Sequence, residues 1–579
     1  DDQKKFIRDA ILAKGLAPAL DAYDRGYAAD AAWWANVSFN WNSIVNGGIT
    51  NGALAIADEG GEYEAAASEV LELALEHIQK VLPTFAPDGG GEEGSGYWEY
   101  NNNYFVYYAA SLFTALGTDY GLTDAEGVDK TAYFPIYIAG PGGSFNYGNN
   151  YTEIVRDPLF FWYSTRFDNE DYSKHRLDQL TSGQQPEPLD LLWYKPEMAA
   201  DSYRLELDLD RYFRHVNVGF MRSAWYDPNA LFVGLKGGDN LYNHSHLDHG
   251  TFVLDALGVR WAEDLGPGTT SLPNYYELVS GRSQYYRQRT EGHNTLVLNP
   301  EYADGQYYRA QSHIVKTGSA PDQSFMIVDM SEAYEKHANS VKRGYALLDH
   351  RRQFLLQDEV NMKAPGEFFW FMHTRADIEI ADGGKTAWLK MGDKRLWARI
   401  LTNEPDVVFT VRDPEPLPQS INPGGQPANS GTKLTIRGNG VQNFRLAVLF
   451  VPLLEWEQPP AELPQMKPLS EWGAPESDAA LLDGIAVNGE ALEGFEAGKF
   501  TYYLDWADTS AVPEIAATAA DAGGTAHIDL PDRLPGAATI RVEAEGKRAA
   551  EYKILFTTPF NPDAPVSASS HDGNVPENT

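Results

Sequence analysis

The sequence predicts a multidomain α+β protein in which helices come first and strands follow, and three observations predict it. Apolar residues keep a helical spacing up to about residue 195, the texture changes after Pro196 to short alternating runs broken by turns, and a Pro- and Glu-rich stretch from Pro459 to Pro475 sets off a last compact β unit. At 579 residues the chain exceeds what one hydrophobic core organises, so two to four domains are expected.

In the first region, 1–197, the stretch Tyr63 to Val81 lines up Tyr63, Ala66, Val70, Leu73, Ala74, His77 and Ile78 on one stripe of period 3.6. Further helical runs are expected at Phe6 to Tyr23, Trp33 to Ala57, Tyr104 to Leu116 and Asp157 to Phe167, with Gly-rich loops such as Asp88 to Gly96 between them. Repeated helices joined by irregular loops suggest stacked helical hairpins. In the second region, 198–458, strands are expected at Val216 to Trp225, Leu231 to Leu235, Thr251 to Leu257 and Thr295 to Leu298, which gives an antiparallel β-sandwich domain. Residues 459–477 read as a linker. The unit 478–558 has an Asn488-Gly489 turn and a closing alternation of Tyr552, Ile554 and Phe556. It resembles the immunoglobulin-like or cadherin-like sandwiches appended to secreted carbohydrate enzymes. The tail, 559–579, is polar, and its Ser569 to Thr579 resembles the opening of a discoidin-type carbohydrate-binding module, so a further such module is expected beyond it.

Composition narrows the function. A net charge of -36 excludes nucleic acid as partner, because phosphate contacts need clustered Lys and Arg. An anionic polymer would be repelled overall, so a groove for one must be locally positive. The absence of cysteine removes disulfides, thiol nucleophiles and Cys-based zinc sites. No apolar run is long enough to span a bilayer, and no membrane partner is expected. The chain opens on Asp1-Asp2-Gln3, which leaves a cytosolic protein or one whose leader was removed; the carbohydrate-module likenesses favour a secreted, extracellular protein. Tyr (32) and Trp (14) combine flat apolar faces with polar handles, as sugar-binding grooves do and as large β-proteins also do.

The most informative segment runs from Asn243-His244-Ser245-His246-Leu247-Asp248-His249 through Asp264 to His293-Asn294-Thr295. Imidazole and carboxylate at these spacings can gather zinc or manganese, and strand alternation would put His244, His246 and Asp248 on one face; a hydrogen-bonded histidine cluster is the plain alternative. This segment resembles the heparinase II/III superfamily of polysaccharide lyases, whose β-domain carries His-x-His-x-Asp, then Asp-x-Gly, then His-Asn-Thr. The resemblance implies His246, Asp264 and His293 as ligands of a structural divalent metal, zinc or manganese, with His244 facing the substrate. It also implies that the helices form an (α/α) toroid.

Two helical landmarks extend the likeness. Asn40-Trp41-Asn42-Ser43-Ile44-Val45-Asn46-Gly47-Gly48 is similar to the family's Asn-Trp-Asn segment and implies Asn46 as the residue that neutralises the substrate carboxylate, with Trp41 and Asn42 beside the substrate. Glu93-Gly94-Ser95-Gly96-Tyr97-Trp98-Glu99-Tyr100 is similar to the family's Glu-Gly-x-x-Tyr-Trp-x-Tyr and implies Tyr100 as the catalytic tyrosine, with Tyr97 and Tyr104 as alternates that also bind substrate. Read alone, an Asn at a Gly-rich helix start is usually a cap and a Tyr on a helix is usually core. Relatives carry a longer helical stretch before the Asn-Trp-Asn landmark than the 39 residues present here, so the toroid is expected to be incomplete or entered part-way.

The implied activity is β-elimination on a uronate-containing polysaccharide, alginate or a glycosaminoglycan. The C5 proton becomes acidic only when the adjoining carboxylate is neutralised, by the logic of an oxyanion hole, and a tyrosine can serve as base and then acid. Its pKa near 10 must be lowered by positive charge, for which Arg282, Arg287 and Arg289 are the candidates, Arg287 and Arg289 also gripping substrate. With Asn46 where some relatives have His, the family logic favours syn elimination, hence glucuronate or mannuronate. The rival expectations are a uronate C5-epimerase on the same scaffold, a glycoside hydrolase, and a non-catalytic polysaccharide-binding surface protein.

Overall fold

The computed structural model describes residues 2–26, 31–200, 202–277, 281–300, 305–473, 479–507 and 510–557. The polar tail and its discoidin-like opening lie outside the described residues. Two compact units divide the chain, Asp1–Ser477 and Asp478–Thr579.

The first unit begins with helix, as the 3.6-residue stripes require. Helix α1 (Asn40–Leu54) packs against α2 (Gly61–Ile78) and α3 (Ser95–Leu116). The stripe on α2 is buried through Ala67, Val70, Ala74 and Ile78. Gly47 permits the approach of α1 to α3, since a Cβ there would stand 2.8 Å from the Tyr104 carbonyl oxygen. Helix α3 starts nine residues before the expected Tyr104, because Gly94 takes φ 86° and turns the chain straight from Glu93 into the helix. Shorter helices follow at Leu159–Phe167, Glu170–Thr181 and Pro188–Trp193.

Strands then take over. A five-stranded antiparallel sheet runs in the order Asp210–Phe213, Val218–Arg222, Phe232–Lys236, Phe252–Ala256, Val259–Ala262. Its Phe213, Phe220 and Phe232 share one core with Trp98, Phe105, Phe134 and Phe160 of the helical layer, which fixes the two layers against each other. A larger sheet, eleven-stranded among the described residues, is centred on the long strands Gln353–Thr374 and Thr432–Leu454. The two sheets meet where Phe252 packs on Phe354 and Phe450, ring centroids 5.6 and 6.3 Å apart. Buried Arg343 reaches from the large sheet to the loops between the sheets: it pairs with both oxygens of Asp358, at 2.7 and 2.9 Å, and donates to the carbonyls of Gly250 and Asn294.

The stretch expected as a linker is instead docked along its second half. Leu469 is buried, Trp472 meets Phe325 edge-on at 5.8 Å, and the Leu469 N–H donates to Glu359. Apolar residues in a Pro-rich stretch strap it onto the large sheet. In the second unit, Leu482–Val487, Glu490–Ala491 and Ile515–Ala519 form one sheet and Thr501–Asp505, Ala550–Thr557, Gly536–Glu543 and Thr525–Asp529 another. They enclose Ile485, Tyr502, Ile540, Tyr552 and Ile554, and the Asn488-Gly489 turn has positive φ at both residues. No described helix is long and apolar enough to cross a membrane.

Candidate functional site

Glu93 is the hub at which the helical landmarks meet the histidine loop. It lies at the N-terminus of α1, where its carboxylate accepts from the Asn40 backbone N–H at 3.1 Å and the Asn40 side-chain amide at 2.8 and 3.0 Å. Asn243 donates to the same carboxylate at 2.7 Å, and His244 Nε2 stands 3.7 Å away. Burial pushes the Glu93 carboxyl up to about 7, against the lowering effect of the Asn40 and Asn243 hydrogen bonds.

One turn into α3, the Tyr97 ring stacks on His244, centroids 4.0 Å apart and planes 12° apart. Burial, then the Glu93 charge, pushes the Tyr97 phenol up to about 12, while Arg282 pulls it down. Burial and Arg282 together push the His244 imidazole down to about 4, so it is neutral at neutral pH. Tyr97 opens onto a cleft of about 270 Å³ that Tyr100, Glu99, Asn149 and Tyr151 also line. Tyr151 and Tyr276 are exposed, and Tyr276 meets His244 edge-on at 6.4 Å.

The histidine loop is not a strand. Residues 240–250 form consecutive turns with His244 at φ 58°, because Ser245 binds back to Asn240 and Tyr242 while the Leu247 N–H goes to Gln288. His244 therefore turns toward Tyr97, and His246 and Asp248 turn inward. Asn149 links the two sides: its amide N–H₂ is 3.1 Å from His244 Nδ1, and its oxygen accepts from His246 Nε2 at 2.8 Å and the Tyr275 hydroxyl at 2.7 Å. This arrangement puts the His244 proton on Nε2, toward Glu93, and leaves His246 Nδ1 as a lone pair.

His246 Nδ1, Asp248 Oδ2 and His293 Nε2 are each buried without a hydrogen-bond partner, and these three side chains bring ligand atoms within 4.8 Å of one another. The other side of each is occupied: His246 by Asn149, Asp248 by Lys236, His293 by Asp264 at 2.8 Å. Three inward-facing acceptors in a buried site are unfavourable without a cation or a proton between them, and two imidazoles with a carboxylate suit a divalent metal. Burial lowers the His293 pKa, but the Asp264 carboxylate outweighs burial and the net shift is upward, as expected where negative charge dominates. Asp264, expected as a ligand, lies outside this three-residue cluster. It stands behind His293 and also accepts the Gly266 N–H at 2.9 Å, the position from which a carboxylate orients an imidazole, and Asp248 is the carboxylate of the cluster.

Other expected site residues lie elsewhere. Asn46 is fully buried; its amide donates to the carbonyl and side-chain oxygens of Asn42, and its oxygen accepts from Tyr23. Asn42 in turn donates to the carbonyls of Ala35, Val37 and His77. Both therefore tie the helical layer together through buried hydrogen bonds. Tyr100 is 44% exposed and meets Tyr104 edge-on, and the ring stacked on His244 is that of Tyr97. Trp41 is exposed and packs edge-on against Trp33. Arg287 is committed to Asn429 and the Leu265 carbonyl, and buried Arg289 to the Ile421 carbonyl and Glu291. Of the three arginines only Arg282 joins the site, donating to the Ser245 carbonyl at 3.1 Å.

Sequence reasoning missed Glu93, Asn149 and Asn150 as organisers. Asn150 donates to the Glu93 carbonyl at 2.6 Å and accepts the Gly96 N–H at 2.9 Å. A Cβ at Gly94 would stand 2.3 Å from the Asn150 side-chain nitrogen, so the Glu-Gly pair and the Asn149-Asn150 pair are built for each other. The doubled Asn after Gly148 was the signal available, and it reads as an ordinary turn.

Residues 218–440 match the family model for the heparinase II/III-like C-terminal domain. The fold is similar to that of a heparan sulfate lyase from Pedobacter heparinus, with 14% identity, a TM-score of 0.51, and coverage of 71% of this chain and 63% of that one. It is also similar to heparinase III, with 13% identity, a TM-score of 0.53, and coverage of 88% and 67%. A second heparinase III structure aligns at 13% identity and a TM-score of 0.53 over 89% and 66%. The chain thus spans about two thirds or less of the length of these structures. No curated protein matches the sequence. At these identities the structural likeness establishes the fold.

Proposed function

We propose, from the premise that this chain is a member of the heparinase II/III superfamily through the domain at 218–440, that it is a polysaccharide lyase. Its substrate would be an acidic, uronate-containing polysaccharide of the glycosaminoglycan class, cleaved by β-elimination outside the cell. The observation that carries the reading is the Tyr97 ring stacked at 4.0 Å on neutral His244 beside an open cleft.

The residues divide the chemistry as follows. His244 Nε2–H, its ring held by Asn149 at Nδ1, and the Asn243 amide, bound to Glu93, donate to the uronate carboxylate and stabilise the charge that develops when C5 loses its proton. Tyr97 takes the C5 proton as phenolate, and as phenol gives a proton to the departing O4; the C4–O4 electron pair leaves with the oxygen and a C4=C5 double bond forms. Burial keeps Tyr97 protonated at rest and Arg282 favours its phenolate, so turnover should rise as pH climbs above 7. His246, Asp248 and His293 would hold a divalent cation, zinc or manganese, whose role is to fix the loop that presents His244.

The test is incubation with heparan sulfate, hyaluronan, chondroitin sulfate and alginate while following the ultraviolet absorbance of the unsaturated uronate. A rise with one polymer supports the reading and names the substrate. A silent panel with epimerised residues or new reducing ends moves the assignment to an epimerase or a hydrolase.

A further inference from the structure

The catalytic cleft adjoins a second one. Ile154 lines both, and on its far side opens a cleft of about 450 Å³ between the helix Glu170–Thr181 and the strand end at Arg222. That volume is within the range of small-ligand sites, about 300 to 1,000 Å³. Its wall holds Arg222, whose guanidinium lies 3.4 Å over the Trp225 ring and donates to the carbonyls of Tyr137 and Ala139. Arg222 is only 4% exposed, it makes no ion pair among the described residues, and its Nε has no hydrogen-bond partner. Burial lowers its pKa to about 9, which leaves it cationic at neutral pH.

Arg156 stands exposed at the mouth, two residues from Ile154, also without an ion pair among the described residues. Against these, Asp178 and Asp227 line the cleft; the Asp227 carboxylate accepts the Asn229 N–H, and burial raises the Asp178 pKa. A buried guanidinium without a carboxylate partner is costly unless something compensates it. In a chain of net charge -36, one buried and one exposed arginine set against Asp178 and Asp227 make this cleft a local exception to the field an anionic polymer meets.

We infer that this second cleft is an extended subsite that holds an anionic sugar residue of the polymer lying in the catalytic cleft, with Arg156 contacting its carboxylate or sulfate and Arg222 supplying a fixed buried positive charge. The inference rests on the proposed acidic-polysaccharide reading and adds where the chain beyond the reacting sugar is held.

The experiment measures binding of heparan sulfate tetrasaccharide and octasaccharide by calorimetry to the protein and to Arg156→Glu, an exposed change outside the catalytic machinery. The expected result is that the octasaccharide weakens roughly tenfold while the tetrasaccharide stays within about twofold. Arg222→Gln, checked for an unchanged melting curve, should repeat the length-selective loss. An unaltered octasaccharide affinity in Arg156→Glu, or equal losses at both lengths, overturns the subsite while leaving the acidic-polysaccharide reading intact. Failure of the unsubstituted protein to bind either length, repeated with hyaluronan, chondroitin sulfate and alginate oligosaccharides, overturns both.

Discussion

The Asn42–Asn46 network and the His246–Asp248–His293 cluster are both buried, both polar and both drawn from landmark motifs, yet they differ in hydrogen-bond satisfaction. Each amide group of Asn46, and the amide nitrogen of Asn42, has a partner within the helical layer. The histidine cluster points three unpartnered acceptors at one another. A satisfied network has finished its task by holding helices together, whereas an unsatisfied one is poised for something the fold does not supply.

Variants can break that comparison, and the largest effect should come at the open edge of the loop. His244→Ala should lower kcat on the substrate polymer by roughly 10²- to 10⁴-fold with little change in melting temperature, as expected of a group that meets the reacting carboxylate. Steady-state kinetics beside a melting curve checks it. Next, His246→Ala should abolish stoichiometric metal, read by elemental analysis, and lower the melting temperature by several degrees, because a ligand bound only to the folded state stabilises it. If the purified protein carries no metal and this variant melts unchanged, the three acceptors are satisfied by a proton instead.

The satisfied network makes the opposite prediction. Asn46→Ala should cost about 1 to 3 kcal/mol in chemical unfolding, since it strands the partners of a buried amide, while kcat per folded molecule stays within about twofold. A selective loss of kcat would restore Asn46 to the site.

The smallest effect concerns pH. The folded Glu93 carboxyl, raised to about 7 from an ordinary 4.5, binds a proton that the unfolded chain has released between those values, so stability falls as pH rises from about 4.5 through 7. Glu93→Gln should remove part of that slope in melting temperature. Glu99, also pushed up to about 7 by burial and by Asp157, keeps its own share of the slope. An unaltered slope would mean that Glu93 is ionised throughout.

Much of this was legible in the sequence, for reasons that differ by region. The stripe on Gly61–Ile78 and the strands at Phe232–Lys236 and Phe252–Ala256 follow from periodicity, because a buried face imposes its spacing on the chain. The order of the motifs pointed to the superfamily whose domain model matches 218–440. What stayed hidden was which members of the motifs meet one another. His244 turns away from His246 only because its backbone enters the left-handed region, and Tyr97 instead of Tyr100 meets it because Gly94 starts α3 where it does. Arg287 and Arg289 were spent on partners more than 120 residues away, which spacing along the chain cannot reveal.

The most direct test of the account compares Tyr97→Phe with Tyr100→Phe, each assayed for the ultraviolet signal of the unsaturated uronate on the polymer the unsubstituted protein cleaves. Loss of turnover by roughly 10³-fold or more in Tyr97→Phe, with Tyr100→Phe within about tenfold of the unsubstituted protein, is the predicted result. Full turnover in Tyr97→Phe, or the reverse order of the two losses, would contradict it.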